Sequence, residues 1–377
     1  MLTEFKDFAY KNSLITLRMD LINKCNFRCT MCHYSDEGIR KRSISKIDLD
    51  TFKSKFYGIM PYVGEVVLSC GDEPLMSPDF SNILEYISSF EKTIDISFCT
   101  NGSLLNSEMR SILIKYGVTY LMFSIDGVKK CTFEKIRIGS SYEKVIGNFK
   151  AMAKLKDFYN AEFPRITLNY VLLKSNLHES VGLLHIAKDL KADLVDFRHA
   201  VPSQFWNDPT EILENSKALF NFYRTKILET AALLELDVLI PDTYNLVESE
   251  VFSDDLCVDL LEDYYSVKPS PPSTSLVKPK LFPKSFRSRS DPQSKLKSIC
   301  KNYYCERPFT EIMIKQQDGI APCPWYTDTL GSLKKGDKIY DVFFGEDFNK
   351  LRISMLKGKP GSGCLSCPIK SNHLPIS

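Results

Sequence analysis

The chain has 377 residues, 44% of them hydrophobic and 25% charged, a balance that suits a globular protein with core enough for one large domain and a smaller one. A formal net charge of only +2 argues against a surface that coats nucleic acid, and no apolar run of about 18 residues argues for a membrane span. The first residues, MLTEFKDFAYKNS, lack the apolar stretch of a signal peptide, so the sequence predicts a cytoplasmic protein with no nucleic-acid or membrane partner, whose twelve cysteines are metal ligands and buried thiols rather than disulfides.

Short β-branched or aromatic runs alternate with helical patterns through the first two thirds of the chain. Strands are predicted over residues 15–22, 65–70, 94–100, 120–125, 165–173 and 194–201, with helices over 49–58, 79–90, 107–116, 142–156 and 177–190. Such βα repetition predicts an α/β fold with a parallel sheet, curved into a partial (β/α)6 TIM-like barrel, with ligands gathered at the carboxyl ends of the strands. A helix over 210–236 and a short strand over 237–241 would end this core, taken as residues 1–240. Residues 241–298 read as a helical segment and a linker. Within it, 266–298 carry six prolines, many serines, and eight basic residues against Asp291 alone, a composition that resists helix and sheet. Residues 299–377 are expected to form a small C-terminal domain.

The first strand runs into Cys25-Asn26-Phe27-Arg28-Cys29-Thr30-Met31-Cys32, three thiols at Cx3Cx2C spacing. Three cysteines on one loop direct their sulfurs at a single centre, and thiolate is the usual ligand of iron-sulfur clusters and zinc. Three is one fewer than closes a structural site, which leaves one metal open to a small molecule. Gly71-Asp72-Glu73-Pro74 follows the second strand on the same rim, Thr100-Asn101-Gly102 the third, and Ser124-Ile125-Asp126-Gly127 the fourth. The last two also suit plain turns with an Asx-type hydrogen bond. In the C-terminal segment, Cys305, Cys323 and the pair Cys364-Leu-Ser-Cys367 provide a second candidate set of four thiolates.

These motifs resemble the radical S-adenosylmethionine (SAM) superfamily, over residues 14–201, and a C-terminal SPASM/twitch-type auxiliary domain, over 300–367. The resemblance implies two 4Fe-4S clusters. One, on Cys25, Cys29 and Cys32, would leave its unique iron to SAM, and one auxiliary cluster would sit on Cys305, Cys323, Cys364 and Cys367. It places Gly71, Asp72, Glu73 and Pro74 at the SAM methionyl group, with Asp72 standing where the family has glycine. Asn101, Ser124, Asp126 and Asn169 would line SAM, and Arg137 would meet its carboxylate. The implied activity is reductive cleavage of SAM to a 5'-deoxyadenosyl radical, fed by a reducing partner such as flavodoxin or ferredoxin, and hydrogen abstraction from a substrate carbon. Two-electron oxidation of a small polar substrate, cyclitol-, sugar- or amine-like, is the expected reaction, with modification of a peptide as the alternative. An epimerase would need a thiol hydrogen donor, for which Cys131, Cys257 and Cys300 are candidates. Cys300 also suits a ligand role in place of Cys305. A non-enzymatic iron-sulfur or zinc protein would leave the open three-cysteine site unexplained.

Overall fold

The computed structural model describes residues 2–202, 206, 208–245, 305–315, 318–357, 361–364 and 367. Twelve strands occur among them: β1 (Ile15–Arg18), β2 (Arg28–Cys29), β3 (Val63–Val67), β4 (Asp95–Thr100), β5 (Tyr120–Ser124), β6 (Arg137–Ile138), β7 (Arg165–Leu172), β8 (Leu194–His199), β9 (Val238–Leu239), β10 (Glu311–Ile314), β11 (Gly319–Ala321) and β12 (Gly331–Ser332). Ten form one sheet in the order β12-β11-β10-β1-β3-β4-β5-β7-β8-β9, and β2 and β6 pair separately. From β10 to β9 every neighbouring pair is parallel, whereas β11 and β12 are antiparallel additions. The fold is α/β, a mostly parallel partial barrel.

The six predicted strands are all present within a few residues, because each is a β-branched or aromatic run bounded by polar turns. Helices pack on one face of the sheet. The helix Phe80–Ser88 buries Phe80, Ile83, Leu84 and Ile87, an i, i+3, i+4, i+7 stripe, and Phe80 meets Phe98 of β4 edge-on at 5.1 Å. The helix Tyr142–Tyr159 starts at a Ser141 cap, ends at left-handed Asn160, and sets Phe149 against Phe123 of β5 at 4.5 Å. The helix expected over 210–236 is shorter, Lys217–Leu234, because the backbone at Ser216 is not helical and a separate 3-10 turn, Leu213–Asn215, precedes it.

Two features were not legible in the strand pattern. The helix Leu2–Asn12 packs Phe5 against Phe309, Phe343 and Phe344, at 5.7, 6.4 and 6.1 Å between ring centres, so it joins the start of the chain to its C-terminal part. In that cluster lies buried Arg352, its guanidinium 4.3 Å from the Phe343 ring centre and its Nε donating to the Pro308 carbonyl at 2.9 Å; burial pushes its pKa down to about 9. The second feature is β10, which pairs in parallel with β1 (Thr16 opposite Glu311, Arg18 opposite Met313) and extends the core sheet. The linker call over 266–298 lies outside the described residues. Among the described residues no helix is long and apolar enough to cross a membrane.

Candidate functional site

The thiol loop leaves the carboxyl end of β1 and returns through β2, where Cys29 pairs with Arg137 of β6. Cys29 is buried; Cys25 and Cys32 are half-buried. The Phe27 amide faces Cys25 Sγ at 3.5 Å, Asn101 Nδ2 faces the same sulfur at 3.9 Å, Arg137 Nη1 lies 3.8 Å from Cys29 Sγ, and His33 Nδ1 lies 3.9 Å from Cys32 Sγ. Burial pushes Cys25 up to about 12 and Cys29 up to about 11, the latter against the pull of Arg137, and the neighbouring cysteines add to both rises. Burial also opposes ionisation of Cys32, but the His33 imidazole, the Tyr34 amide and the Arg137 charge together lower the pKa. Among the described residues no three His, Cys, Asp or Glu side chains stand close enough together to hold a single metal ion. The donor set suits an iron-sulfur cluster: three thiols sense one another electrostatically, and N–H donors surround the sulfurs.

Asp20, two residues beyond β1, holds the Gly71-Asp72-Glu73-Pro74 loop. Its Oδ1 accepts the amides of Cys70, Gly71 and Asp72 at 2.6, 3.1 and 3.2 Å, and the Glu73 amide donates to the Lys24 carbonyl at 3.0 Å. Burial, with the Asp72 charge nearby, raises the Asp20 pKa to about 6. Gly71 packs closely, since a Cβ there would stand 3.2 Å from His33 Cε1, and Pro74 opens a 3-10 turn. The two carboxylates of this loop differ. Glu73 is buried and accepts from Thr100 Oγ1 (2.7 Å), the Asn101 amide (2.8 Å) and the Leu75 amide (3.2 Å), which ties the end of β3 to the end of β4. Both of its oxygens therefore accept hydrogen bonds from the protein. Asp72 accepts the Tyr34 hydroxyl on Oδ1 at 2.7 Å, and its buried Oδ2 has no hydrogen-bond donor.

The remaining rim residues fall into three groups. Asn101 is locked by Asn26 and Ser103, its Nδ2 donating to Asn26 Oδ1 at 2.8 Å. Ser124 Oγ and Asn169 Nδ2 approach Cys99 Sγ at 3.1 and 3.4 Å, while Asn169 Oδ1 is buried without a hydrogen bond. Asp126 is fully buried, accepts the Val171 amide on Oδ1 at 2.8 Å and pairs with Arg137 Nη2 at 2.6 Å. Gly127 has a packing reason of its own: an added Cβ would lie 2.6 Å from the Phe133 amide nitrogen. Gly127→Ala is expected to cost about 1–3 kcal/mol of stability through that overlap, checked by urea denaturation.

Strand register puts Thr16, Arg18, Glu65, Ser97, Met122, Asn169 and Asp196 on one face of the sheet, away from the helices. This face is polar: Glu65 accepts Thr16 and Ser97 hydroxyls at 3.1 and 3.3 Å, Arg18 Nε meets Glu311 at 3.1 Å, and Arg198 pairs with Asp196. His199 points the other way and packs on Phe220 and Tyr244. Sequence reasoning passed over Asp20, Glu65 and Arg18; the alternation Thr16, Arg18, Asp20 against Ile15, Leu17, Met19 was the available signal. Cys131 is exposed on the helix Lys130–Ile136, and Cys257 and Cys300 lie outside the described residues.

The second thiol set sits at the opposite ends of the parallel strands. Cys305 precedes β10, which runs alongside β1, and Cys323 follows β11, which runs back. The Cys364 turn is pinned there by the Thr327 amide, donating to the Gly363 carbonyl at 3.0 Å, and the Cys367 amide donates to the Cys364 carbonyl at 3.1 Å. Gly363 permits this, since a Cβ would come 2.6 Å from the Tyr326 ring. Burial, reinforced by neighbouring thiols, pushes Cys305 up to about 12 and Cys364 up to about 11. The four residues of β1, at about 3.3 Å each, put about 13 Å of strand between the two sets.

Comparison with known proteins agrees with this geometry. The family model described as Radical SAM superfamily matches residues 19–185. A GTP 3',8-cyclase of Trichodesmium erythraeum is 32% identical over 184 residues, 46% of this chain and 52% of that protein. The molybdenum cofactor biosynthesis protein moc-5 of Caenorhabditis elegans is 29% identical over 196 residues, 51% of this chain and 31% of that protein. The chain thus spans about a third to a half of the length of these curated relatives. Among solved structures, SuiB of Streptococcus suis bound to S-adenosylmethionine superposes with a TM-score of 0.58 at 16% identity, over 98% of this chain and 75% of that one. SuiB bound to precursor peptide SuiA gives 0.59 at 14%, over 92% and 68%. These likenesses show a shared fold, and the family implies SAM and a 4Fe-4S cluster. With its thiol loop at the carboxyl end of β1 and the family match running through the strands that follow, residues 19–185 form a radical SAM superfamily domain.

Proposed function

We propose that this radical SAM enzyme carries out a two-electron oxidation of a small polar, cyclitol-, sugar- or amine-like substrate held between two 4Fe-4S clusters. Cys25, Cys29 and Cys32 would hold the first, and Cys305, Cys323, Cys364 and Cys367 the second. Residues 1–240 would form the core and 299–377 the auxiliary domain, joined through 241–298. When bound, the first cluster and SAM supply a 5'-deoxyadenosyl radical that removes a substrate hydrogen, and the second cluster supplies an acceptor for the remaining electron. The observation that carries this reading is the placement of two thiol sets at opposite ends of the same strands, with a polar sheet face between them. Thr16, Ser97 and Glu65 offer hydroxyl and carboxylate groups to substrate hydroxyls or amines, and the Asp196–Arg198 pair offers a charged edge. Asp72 Oδ2, Asn169 Oδ1 and the Asn101 region would meet SAM, and flavodoxin or ferredoxin would supply electrons.

The alternative is modification of a peptide, by oxidation or epimerisation, and it is favoured by the fold shared with SuiB in complex with its precursor peptide. Mass spectrometry of the product formed in deuterated water separates the chemistries. Oxidation is expected to give a product two hydrogens lighter with one 5'-deoxyadenosine per turnover. An isomer of unchanged composition carrying one solvent deuterium would reject oxidation and direct attention to Cys131, Cys257 and Cys300 as donors.

A further inference from the structure

Arg137 sits where one guanidinium meets two partners. Its backbone is fixed by the β2–β6 ladder, in which it faces Cys29, and by the Thr30 amide donating to the Ile136 carbonyl at 2.9 Å. Its Nη2 pairs with Asp126 Oδ2 at 2.6 Å, and Asp126 is itself held to β7 by the Val171 amide. With that end of the fork anchored, Nη1 is left aimed at Cys29 Sγ, 3.8 Å away, in a site that is 7% exposed. A lysine carries all its donors on one nitrogen, whereas the separate nitrogens of an arginine fork serve a carboxylate and a sulfur together. The resemblance implies the SAM carboxylate as a partner of this residue; in this structure the guanidinium faces Asp126 and a thiol of the first set.

We propose that Arg137 is a positioning residue that donates an N–H···S hydrogen bond to the Cys29 thiolate of the loaded cluster and thereby raises the cluster's reduction potential, with Asp126 orienting the guanidinium. This rests on the reading that Cys25, Cys29 and Cys32 ligate a cluster. A hydrogen bond to a ligating thiolate draws charge from the sulfur and favours the more negative, reduced cluster. Asp126 plays the part of the outer carboxylate that keeps a ligand's donor in register. The pair also offsets itself electrostatically, which makes burial of the guanidinium tolerable beside the thiols.

The test is an EPR-monitored redox titration of the reconstituted full-length protein without SAM, with iron content measured alongside and SAM affinity measured separately by anaerobic calorimetry. In Arg137→Gln the midpoint of the N-terminal cluster is expected to move to a more negative potential, and Arg137→Lys is expected to restore only part of the shift. Because Arg137→Gln alone leaves Asp126 buried and unpaired, the double variant Asp126→Asn/Arg137→Gln is measured as well, and the same negative shift is expected there. An unchanged SAM-free midpoint together with a tenfold or greater loss of SAM affinity would overturn the inference and return Arg137 to the SAM carboxylate. Failure of the unsubstituted protein to take up iron on its N-terminal thiols would overturn the underlying reading and the inference with it.

Discussion

Replacing Cys25, Cys29 and Cys32 together by alanine is expected to abolish SAM cleavage and to lower the iron content of the reconstituted protein from about eight to about four per chain, the count for two 4Fe-4S clusters and then one. The expectation rests on separation. The first set lies on loops at the carboxyl ends of the parallel strands and the second beyond the other end of β1 and β10, so losing one set leaves the other's scaffold standing. Cys305 and Cys323 are packed with Phe309, Tyr326 and Met355, a cluster that makes no use of the Cys25–Cys32 loop. Iron analysis and the yield of 5'-deoxyadenosine check the two halves of the result. Zinc in place of iron, or an iron content unaffected by the triple substitution, would contradict the assignment.

Glu73→Ala is expected to destabilise the cluster-free protein by about 3 kcal/mol, since it strands the buried Thr100 hydroxyl and the Asn101 amide at about 1–3 kcal/mol each. Glu73→Gln keeps one acceptor oxygen and should lose about half of that. The pH dependence follows from burial, which raises the Glu73 pKa from 4.5 to about 7 despite its three donors. An acid that holds its proton more tightly when folded contributes stability that is intact below about pH 4.5 and is lost as pH climbs through about 7, an effect of order 3 kcal/mol. Urea midpoints between pH 4.5 and 7.5 should therefore fall with rising pH in the unsubstituted protein and stay flatter in Glu73→Gln. Parallel curves for the two would show that Glu73 does not carry the dependence.

Much of this was legible in the sequence because it depends on local rules. Strands β1, β3, β4, β5, β7 and β8 are short apolar runs whose boundaries are set by polar turns, and β9 followed the same logic at residues 237–241. The Cx3Cx2C loop is likewise local chemistry: three thiols within eight residues have few uses besides a metal. What tertiary structure decided are relations between distant segments. No propensity near Glu311 tells that β10 will pair with β1, about 300 residues earlier, because parallel pairing is chosen by the exposed edge of the assembled sheet. That choice alone puts the second thiol set at the opposite end of the strands. Glu73 and Asp72 are adjacent in sequence and both carboxylic acids, yet one is consumed by the end of β4 and the other retains a buried oxygen without a donor, a difference created by which side of the loop each faces. Arg137 read as a free fork for a ligand until the two-residue ladder between β2 and β6 brought it beside Cys29, with Asp126 taking its other arm. The sequence by itself determined the elements and the loop that can bind a metal; the partners of Glu73, Asp126 and Arg137 were decided only when burial in the folded sheet required each to find a neighbour.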